Sequence, residues 1–266
     1  MDLQLTNKTA LVTGSTAGIG LAIARLLARE GAHVIINGRK PEDVERVAAE
    51  LSKETGNGSG SVRGIAADFS VVDDIDRLLS ELPDVDILIN NVGIFGEVPF
   101  EEITDEQWEQ VFDVNVMSGV RLARHYFPRM LKRDSGRIIF ISSESGENIP
   151  TEMIHYGVSK TAQLALSRGL ARLTKGTGVT VNSVLPGPTM SRANEKSLRE
   201  QADAQDKSLE EVKGEFIEEK RPTSLIHRWA EPEEVANMVA YVASPLSSAT
   251  NGAALRVDGG VVNFIV

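Results

Sequence analysis

A phenol and an ammonium stand four residues apart in Tyr156-x-x-x-Lys160, with a hydroxyl thirteen residues upstream at Ser143. On a helix, positions i and i+4 are neighbours, so Tyr156 and Lys160 share one face. An adjacent ammonium favours the phenolate and lowers a phenol pKa that starts at about 10, which suits Tyr156 to general acid and base work. A lone Tyr-x-x-x-Lys is more often packing than catalysis, so the rest of the chain decides. Near the N-terminus runs Thr13-Gly14-Ser15-Thr16-Ala17-Gly18-Ile19-Gly20, a glycine loop spaced G-x-x-x-G-x-G. Between a strand and a helix, such a loop lets a pyrophosphate touch the backbone at a helix N-terminus. A tight turn without a ligand is the alternative.

These residues need elements to hold them. Lys8 to Thr13 reads as a buried strand, and Ile19, Ala22, Ile23, Leu26 and Leu27 recur at helical spacing. Strands at 33–37, 62–67 and 85–90 alternate with helices at 41–55 and 71–82. Thr104 to Lys132 is expected to be one long helix, opened by a Thr104/Gln107 capping box and bent near Pro128. A strand at 137–143, a helix at 153–175, a strand at 179–185, a helix from Pro232 and a strand at 253–257 complete the series. Strands separated by helices mean βαβ crossovers and a parallel sheet, hence a Rossmann-type doubly wound α/β fold. Gly56-Asn57-Gly58-Ser59-Gly60-Ser61 resembles a linker but interrupts a continuous alternation, so it reads as a surface loop and residues 1–266 as one domain. Residues 188–229 break the rhythm with two polar helical segments, and an insertion of that size reads as a substrate-binding lid.

The second strand ends Asn37-Gly38-Arg39-Lys40, where dinucleotide folds usually carry an Asp or Glu for the ribose 2'-hydroxyl. Gly38 is expected to leave space there. Without a carboxylate, the Arg39 guanidinium can bind a 2'-phosphate, so NADP(H) is favoured over NAD(H). The alternative is that Arg39 is merely a solvated residue.

Bulk composition narrows the partners. The 266 residues carry 28 basic and 38 acidic side chains, a net charge of -10 that repels phosphodiester backbones and anionic lipid, so neither nucleic acid nor a membrane is an expected partner. No apolar run is long enough for a membrane span and no leader is recognisable, which points to the cytoplasm. There is no cysteine, so disulfides, thiolate metal sites and a cysteine nucleophile are excluded; no metal site is expected and redox chemistry must come from a cofactor.

Further motifs occur in order: Asp68, Asn90-Asn91-Val92-Gly93, Asn115, Ser143, Tyr156-Gly157-Val158-Ser159-Lys160, Asn182-Ser183-Val184-Leu185-Pro186-Gly187 and Asp258-Gly259-Gly260. With the glycine loop, this set resembles the short-chain dehydrogenase/reductase family, in its single-domain branch, over nearly the whole chain. The resemblance implies an oxidoreductase that moves a hydride between NADP(H) and a carbonyl or secondary alcohol carbon. It implies that Tyr156 protonates the substrate oxygen, that Ser143 hydrogen-bonds that oxygen, and that Lys160 holds the nicotinamide ribose. Asn115 would position a helix carbonyl and a water that replenish the proton. Cofactor contacts are implied for Gly14, Ser15, Thr16, Gly18, Ile19, Gly20, Arg39, Asp68, Phe69, Asn91, Val92, Gly93, Tyr156, Lys160, Pro186, Gly187 and Thr189, and a homotetramer is the implied assembly. The helices at 104–132 and 153–175 would pack across its two-fold axes, with the apolar tail 261–266 at an interface.

Val92 stands where the family usually has alanine, and Ser191 where a threonine is commoner. Glu144, directly after Ser143, is unusual there and is assigned no role; an exposed loop acid is its bland reading. The pocket is expected to be lined by 144–153, His155 and the insertion, with Leu198, Phe216, Ile217, Leu225 and Ile226; His227 and Arg228 read as loop residues. A nucleotide-sensing module with a dead site would have lost Tyr156 or Lys160, and a sugar-nucleotide epimerase would resemble a longer branch. Among enzymes, a 3-oxoacyl-thioester reductase and an NAD-dependent alcohol dehydrogenase are the alternatives.

Overall fold

A computed structural model describes residues 2–55 and 60–265. Strands β1 (Thr9–Val12), β2 (His33–Gly38), β3 (Ser61–Ala66), β4 (Ile87–Asn90), β5 (Gly136–Ile141), β6 (Val179–Pro186) and β7 (Ala254–Val257) form one sheet in the order β3-β2-β1-β4-β5-β6-β7. Every pairing is parallel. The Leu-, Ile- and Val-rich inner strands are buried on both faces, as helix-covered parallel strands are. On one face pack α1 (Gly18–Arg29), α2 (Pro41–Thr55) and α9 (Pro232–Ala243), through Ile23, Leu27, Val47, Leu51, Val235 and Val239. On the other lie α3 (Val72–Glu81) and α5 (Ser118–Lys132), through Ile75, Leu78, Leu122, Tyr126 and Met130. The expected Rossmann-type doubly wound fold is present as a single domain. Of the glycine- and serine-rich run at 56–61, residues 56–59 lie outside the described residues, and Ser61 opens β3.

The stretch read as one helix bent at Pro128 is broken elsewhere. Helix α4 (Asp105–Phe112) has the expected box, Thr104 Oγ1 accepting from the Gln107 N–H at 3.3 Å and the Gln107 side chain accepting from the Thr104 N–H at 2.9 Å. It passes into a π-helical turn at Asp113–Met117 before α5 begins, and α5 runs through Pro128. A π turn inserts an extra residue into a helix and re-aims side chains, and here it carries Asn115.

Helix α6 (Ile154–Arg172) packs beside β6 and carries Tyr156 and Lys160. Residues 188–229 contain α7 (Arg192–Gln205) and α8 (Leu209–Lys220), which share a small core of their own from Leu198, Ala202 and Val212 with Met190, Leu209 and Trp229 packed against it. In the tail read as an interface strip, Val261 and Val262 are buried within their own chain, whereas Asn263, Phe264 and Ile265 are exposed; Val266 lies outside the described residues. No helix among the described residues is long and apolar enough to cross a membrane.

Candidate active site

The strand order runs outward from β1 in one direction and from β4 in the other, so their C-terminal ends border the crevice where such sheets bind ligands. Thr13 pins the crevice: its hydroxyl oxygen accepts from the N–H groups of Asn91 (2.9 Å) and Val92 (3.0 Å), and the Asn91 amide donates to the Thr13 and Gly14 carbonyls. Gly14 has φ +60° and Gly18 φ +56°, the left-handed region that favours glycine. A Cβ at Gly20 would collide with the Gly14 carbonyl oxygen, so only glycine allows the loop to close. Helix α1 starts from Ala17 with no side-chain cap and no acid in its first turn, which leaves its N-terminal N–H groups and positive dipole end for an anion. This cradle fits the pyrophosphate of a dinucleotide.

The cradle opens into a cavity of about 650 Å³. Gly18, Ile19, Gly20, Asn91 and Gly93 from the two loops, Ser143, Tyr156 and Lys160, and Pro186, Gly187 and Thr189 after β6 all line it. The other residues implied by the resemblance stand outside that lining. Ser15 is fully buried, its hydroxyl donating to the Val12 carbonyl and accepting from the Asn37 N–H, so its side chain braces the loop. Thr16 faces Gly38, and a Cβ at position 38 would lie 2.7 Å from the Thr16 methyl. The space expected at Gly38 is therefore already taken. Asn37 is buried and spends its amide on Gly14, Ile65 and Ala67, so it offers nothing to a ribose. Asp68 accepts from the Ser70 N–H and hydroxyl. The Phe69 ring sits in the core and Val92 packs against that core, which leaves their main chains for a ligand. Arg39 projects into solvent at the end of β2 and forms no ion pair among the described residues.

Asn115 is 1% exposed and sits behind the cavity. Its amide donates to the Ile94 carbonyl (2.9 Å) and Ser159 hydroxyl (3.0 Å) and its oxygen accepts from the Ile94 N–H (2.7 Å), tying the segment after β4 to α6. The Lys160 ammonium donates to the Ile141 carbonyl at 2.9 Å and to the Gln163 side-chain oxygen at 3.3 Å. Burial alone lowers its pKa to about 7. The Lys160 nitrogen lies 5.6 Å from the centre of the Tyr156 ring, and the Tyr156 phenol is pushed up to about 12 by burial. Ser143 and the Arg221 charge oppose that rise and the Glu144 carboxylate adds to it. The lowered phenol expected from the i, i+4 pair is thus reversed. Lys160 is engaged elsewhere and is itself desolvated, so it does not offset the burial of its neighbour. At neutral pH, Tyr156 is a phenol holding its proton.

Glu144 corrects a second expectation. It is 2% exposed, and its carboxylate accepts from Arg221 Nε at 2.8 Å, a pair buried on both sides. Arg221 follows α8, so the pair joins the insertion to the residue after Ser143. Around it the cavity is lined by Glu152, Met153, Leu198, Phe216 and Trp229, with Phe216 and Trp229 packed at 4.6 Å between ring centres. Four residues expected there lie elsewhere. Ile217 is buried; Leu225 and Ile226 lie over the Gly259-Gly260 turn, to which both N–H groups donate; His155 packs edge-on against Trp108 at 6.0 Å. Arg228 pairs with Glu234 at the surface, as a loop residue.

Comparison with known proteins agrees with this geometry. The chain matches the short chain dehydrogenase family over residues 8–202. It is 48% identical over 268 residues to the uncharacterized oxidoreductase YvrD of Bacillus subtilis (strain 168), covering all of both chains. It is 33% identical over 258 residues to the D-beta-hydroxybutyrate dehydrogenase of Rhizobium meliloti (strain 1021), covering 95% of this chain and 98% of that one. Among solved structures, L-sorbose reductase from Gluconobacter frateurii, complexed with NADPH and L-sorbose, superposes with a TM-score of 0.92 at 30% identity over the whole of both chains. A family match over most of the chain, with relatives and a solved structure aligned over full length, shows that this chain is an oxidoreductase of the short-chain dehydrogenase/reductase family.

Proposed function

We propose that the protein moves a hydride between NADP(H) and the carbon of a carbonyl or secondary alcohol, with Tyr156 as the proton donor and acceptor. The observation that carries this reading is one cavity that joins the uncapped start of α1 to the Tyr156 and Ser143 side chains. When bound, the nicotinamide supplies or accepts the hydride. Tyr156, protonated at neutral pH, donates its phenolic proton to the substrate oxygen, and Ser143 hydrogen-bonds the same oxygen and steadies the charge developing on it. Lys160 holds the nicotinamide ribose and Asn115 fixes the helix behind it. Gly14, Ser15, Thr16, Gly18, Ile19 and Gly20 form the pyrophosphate cradle, Asp68 and Phe69 the adenine edge, Asn91 to Gly93 the adenosine ribose side, and Pro186, Gly187 and Thr189 the carboxamide border. Residues 188–229 form the substrate lid.

NADP(H) is the favoured cofactor because β2 ends without a carboxylate and Arg39 stands exposed beside the cradle. A hydrogen bond to a charged group is worth roughly 1.5 to 3 kcal/mol, so Arg39→Ala is expected to cost about one to two powers of ten in kcat/KM with NADPH and to leave NADH unchanged. Gly38→Asp is expected to create an NADH preference only together with Thr16→Ala, which removes the methyl in its way. The measurement is the NADPH/NADH ratio of kcat/KM at fixed ionic strength. A wild type that prefers NADH, or a ratio untouched by Arg39→Ala, makes Arg39 a surface residue.

We further propose a cytoplasmic homotetramer, with the faces of α4, α5 and α6 meeting across two-fold axes. Light scattering at micromolar concentration is expected to give a multiple of the chain mass; a monomer mass contradicts it.

A further inference from the structure

Gln163 lies one turn beyond Lys160 on α6 and is 1% exposed. Its amide nitrogen donates to the main-chain carbonyl of Asn115 at 2.5 Å, and its amide oxygen accepts from the Lys160 ammonium at 3.3 Å. The two partners fix the orientation of the amide, because a carbonyl only accepts and an ammonium only donates. The resemblance implies that Asn115 positions a helix carbonyl and a water; here the Gln163 side chain reaches both the Asn115 carbonyl and Lys160. A neutral amide that donates through nitrogen and accepts through oxygen holds both partners in place, but it has no ionisable proton to hand from one to the other.

We propose that Gln163 is a positioning residue that links the Lys160 ammonium to the Asn115 carbonyl through its side-chain amide. Held by that amide, Lys160 keeps its place on the cavity wall beside Tyr156. The inference rests on the roles given above to Tyr156 and Lys160. Its second consequence concerns binding. Lys160 lines the cavity, and its charged form attracts a polyanionic dinucleotide, so NADPH affinity should fall as pH rises and Lys160 loses its charge. Of the other charged and titratable groups, Tyr156 faces Lys160 from its own helix, Glu144 lines the cavity from the segment after β5, and Glu152 and Arg221 line it further out. All are retained in the variants below.

The test is the pH dependence of the NADPH dissociation constant, read by nicotinamide fluorescence, in wild type, Lys160→Met, Gln163→Glu and Gln163→Leu. Gln163→Glu places a carboxylate beside the ammonium and favours its charged form, so the pH at which affinity falls is expected to move up by about one unit. Gln163→Leu releases the ammonium and is expected to weaken NADPH binding about tenfold near neutral pH, with a thermal midpoint showing that the variant is folded under assay conditions. A pH profile of Gln163→Glu superimposable on wild type, while Lys160→Met abolishes the dependence, overturns the inference and leaves the proposed function standing. A Gln163→Leu variant that binds like wild type overturns it equally. A Tyr156→Phe enzyme with normal turnover defeats the proposed function itself, whatever Gln163 does.

Discussion

Tyr156→Phe is expected to bind NADPH with the wild-type dissociation constant while losing roughly 100- to 10,000-fold in kcat, the range that general acid catalysis contributes. The substitution removes one oxygen from the cavity wall and leaves the ring that packs edge-on against Phe95 at 5.9 Å. Cofactor binding should survive because the cradle around Gly14, Gly18 and Gly20 is built by backbone and does not touch the phenol. The pH profile adds a sign. A phenol pushed up to about 12 stays protonated through neutral pH, so the reduction direction should not lose its proton donor between pH 6 and 9, whereas alcohol oxidation, which needs the phenolate, should rise across the same interval. Turnover of the variant within a factor of two of wild type removes Tyr156 from its role.

Arg221→Met is the second large effect, and it is one of stability. It strands the Glu144 carboxylate, already lacking a partner for one of its oxygens, in a site where it is 2% exposed. Breaking a buried pair by deleting one partner typically costs about 3 to 5 kcal/mol, because an uncompensated charge remains. Burial already raises the Glu144 pKa, and the Arg221 charge and hydrogen bond are the largest influences opposing that rise. Without them the folded-state pKa climbs further above the unfolded value. The variant is then penalised for every pH unit between the two, so its deficit against wild type should shrink as pH falls toward the carboxylate range and grow toward neutral pH. Adding Glu144→Gln to the Arg221→Met background should recover much of the loss, since no charge is left to strand. Thermal or urea unfolding of wild type, the two single variants and the double variant at two pH values measures this. An Arg221→Met deficit of the same size with or without Glu144→Gln, or one that does not depend on pH, contradicts a charge-pairing role.

The fold was legible because alternation between buried strands and amphipathic helices repeats along the chain, and each strand boundary fell within about two residues of its place. What the periodicity hid was its own interruption. A π turn at Asp113–Met117 adds a residue without breaking the run of helical residues, whereas Pro128, the visible breaker, sits in an unbroken α5. Tyr156, Lys160, Ser143 and the glycine loop were legible as local motifs, and one cavity brings them together. The role of Glu144 was not legible because its partner is Arg221, 77 residues away, and no local rule pairs them. Gln163 carried a faint signal, an amide three residues after Lys160 on the same helical face, but its contact with a main-chain carbonyl of another helix exists only in three dimensions. The phenol pKa was misjudged for a related reason. Spacing supplies the neighbouring charge, but only the surrounding structure supplies the burial that outweighs it.

The central claim is hydride transfer from NADPH to a carbonyl carbon, and one experiment tests it directly. NADPH deuterated at the transferable nicotinamide position is incubated with wild type and a panel of aliphatic ketones, keto sugars and 3-oxoacyl thioesters, then in parallel with equally labelled NADH. The expected result is deuterium on the carbinol carbon of at least one product, faster with NADPH than with NADH and abolished in Tyr156→Phe. NADPH that binds tightly but transfers no label to any member of the panel contradicts the claim and makes the chain a nucleotide-binding module.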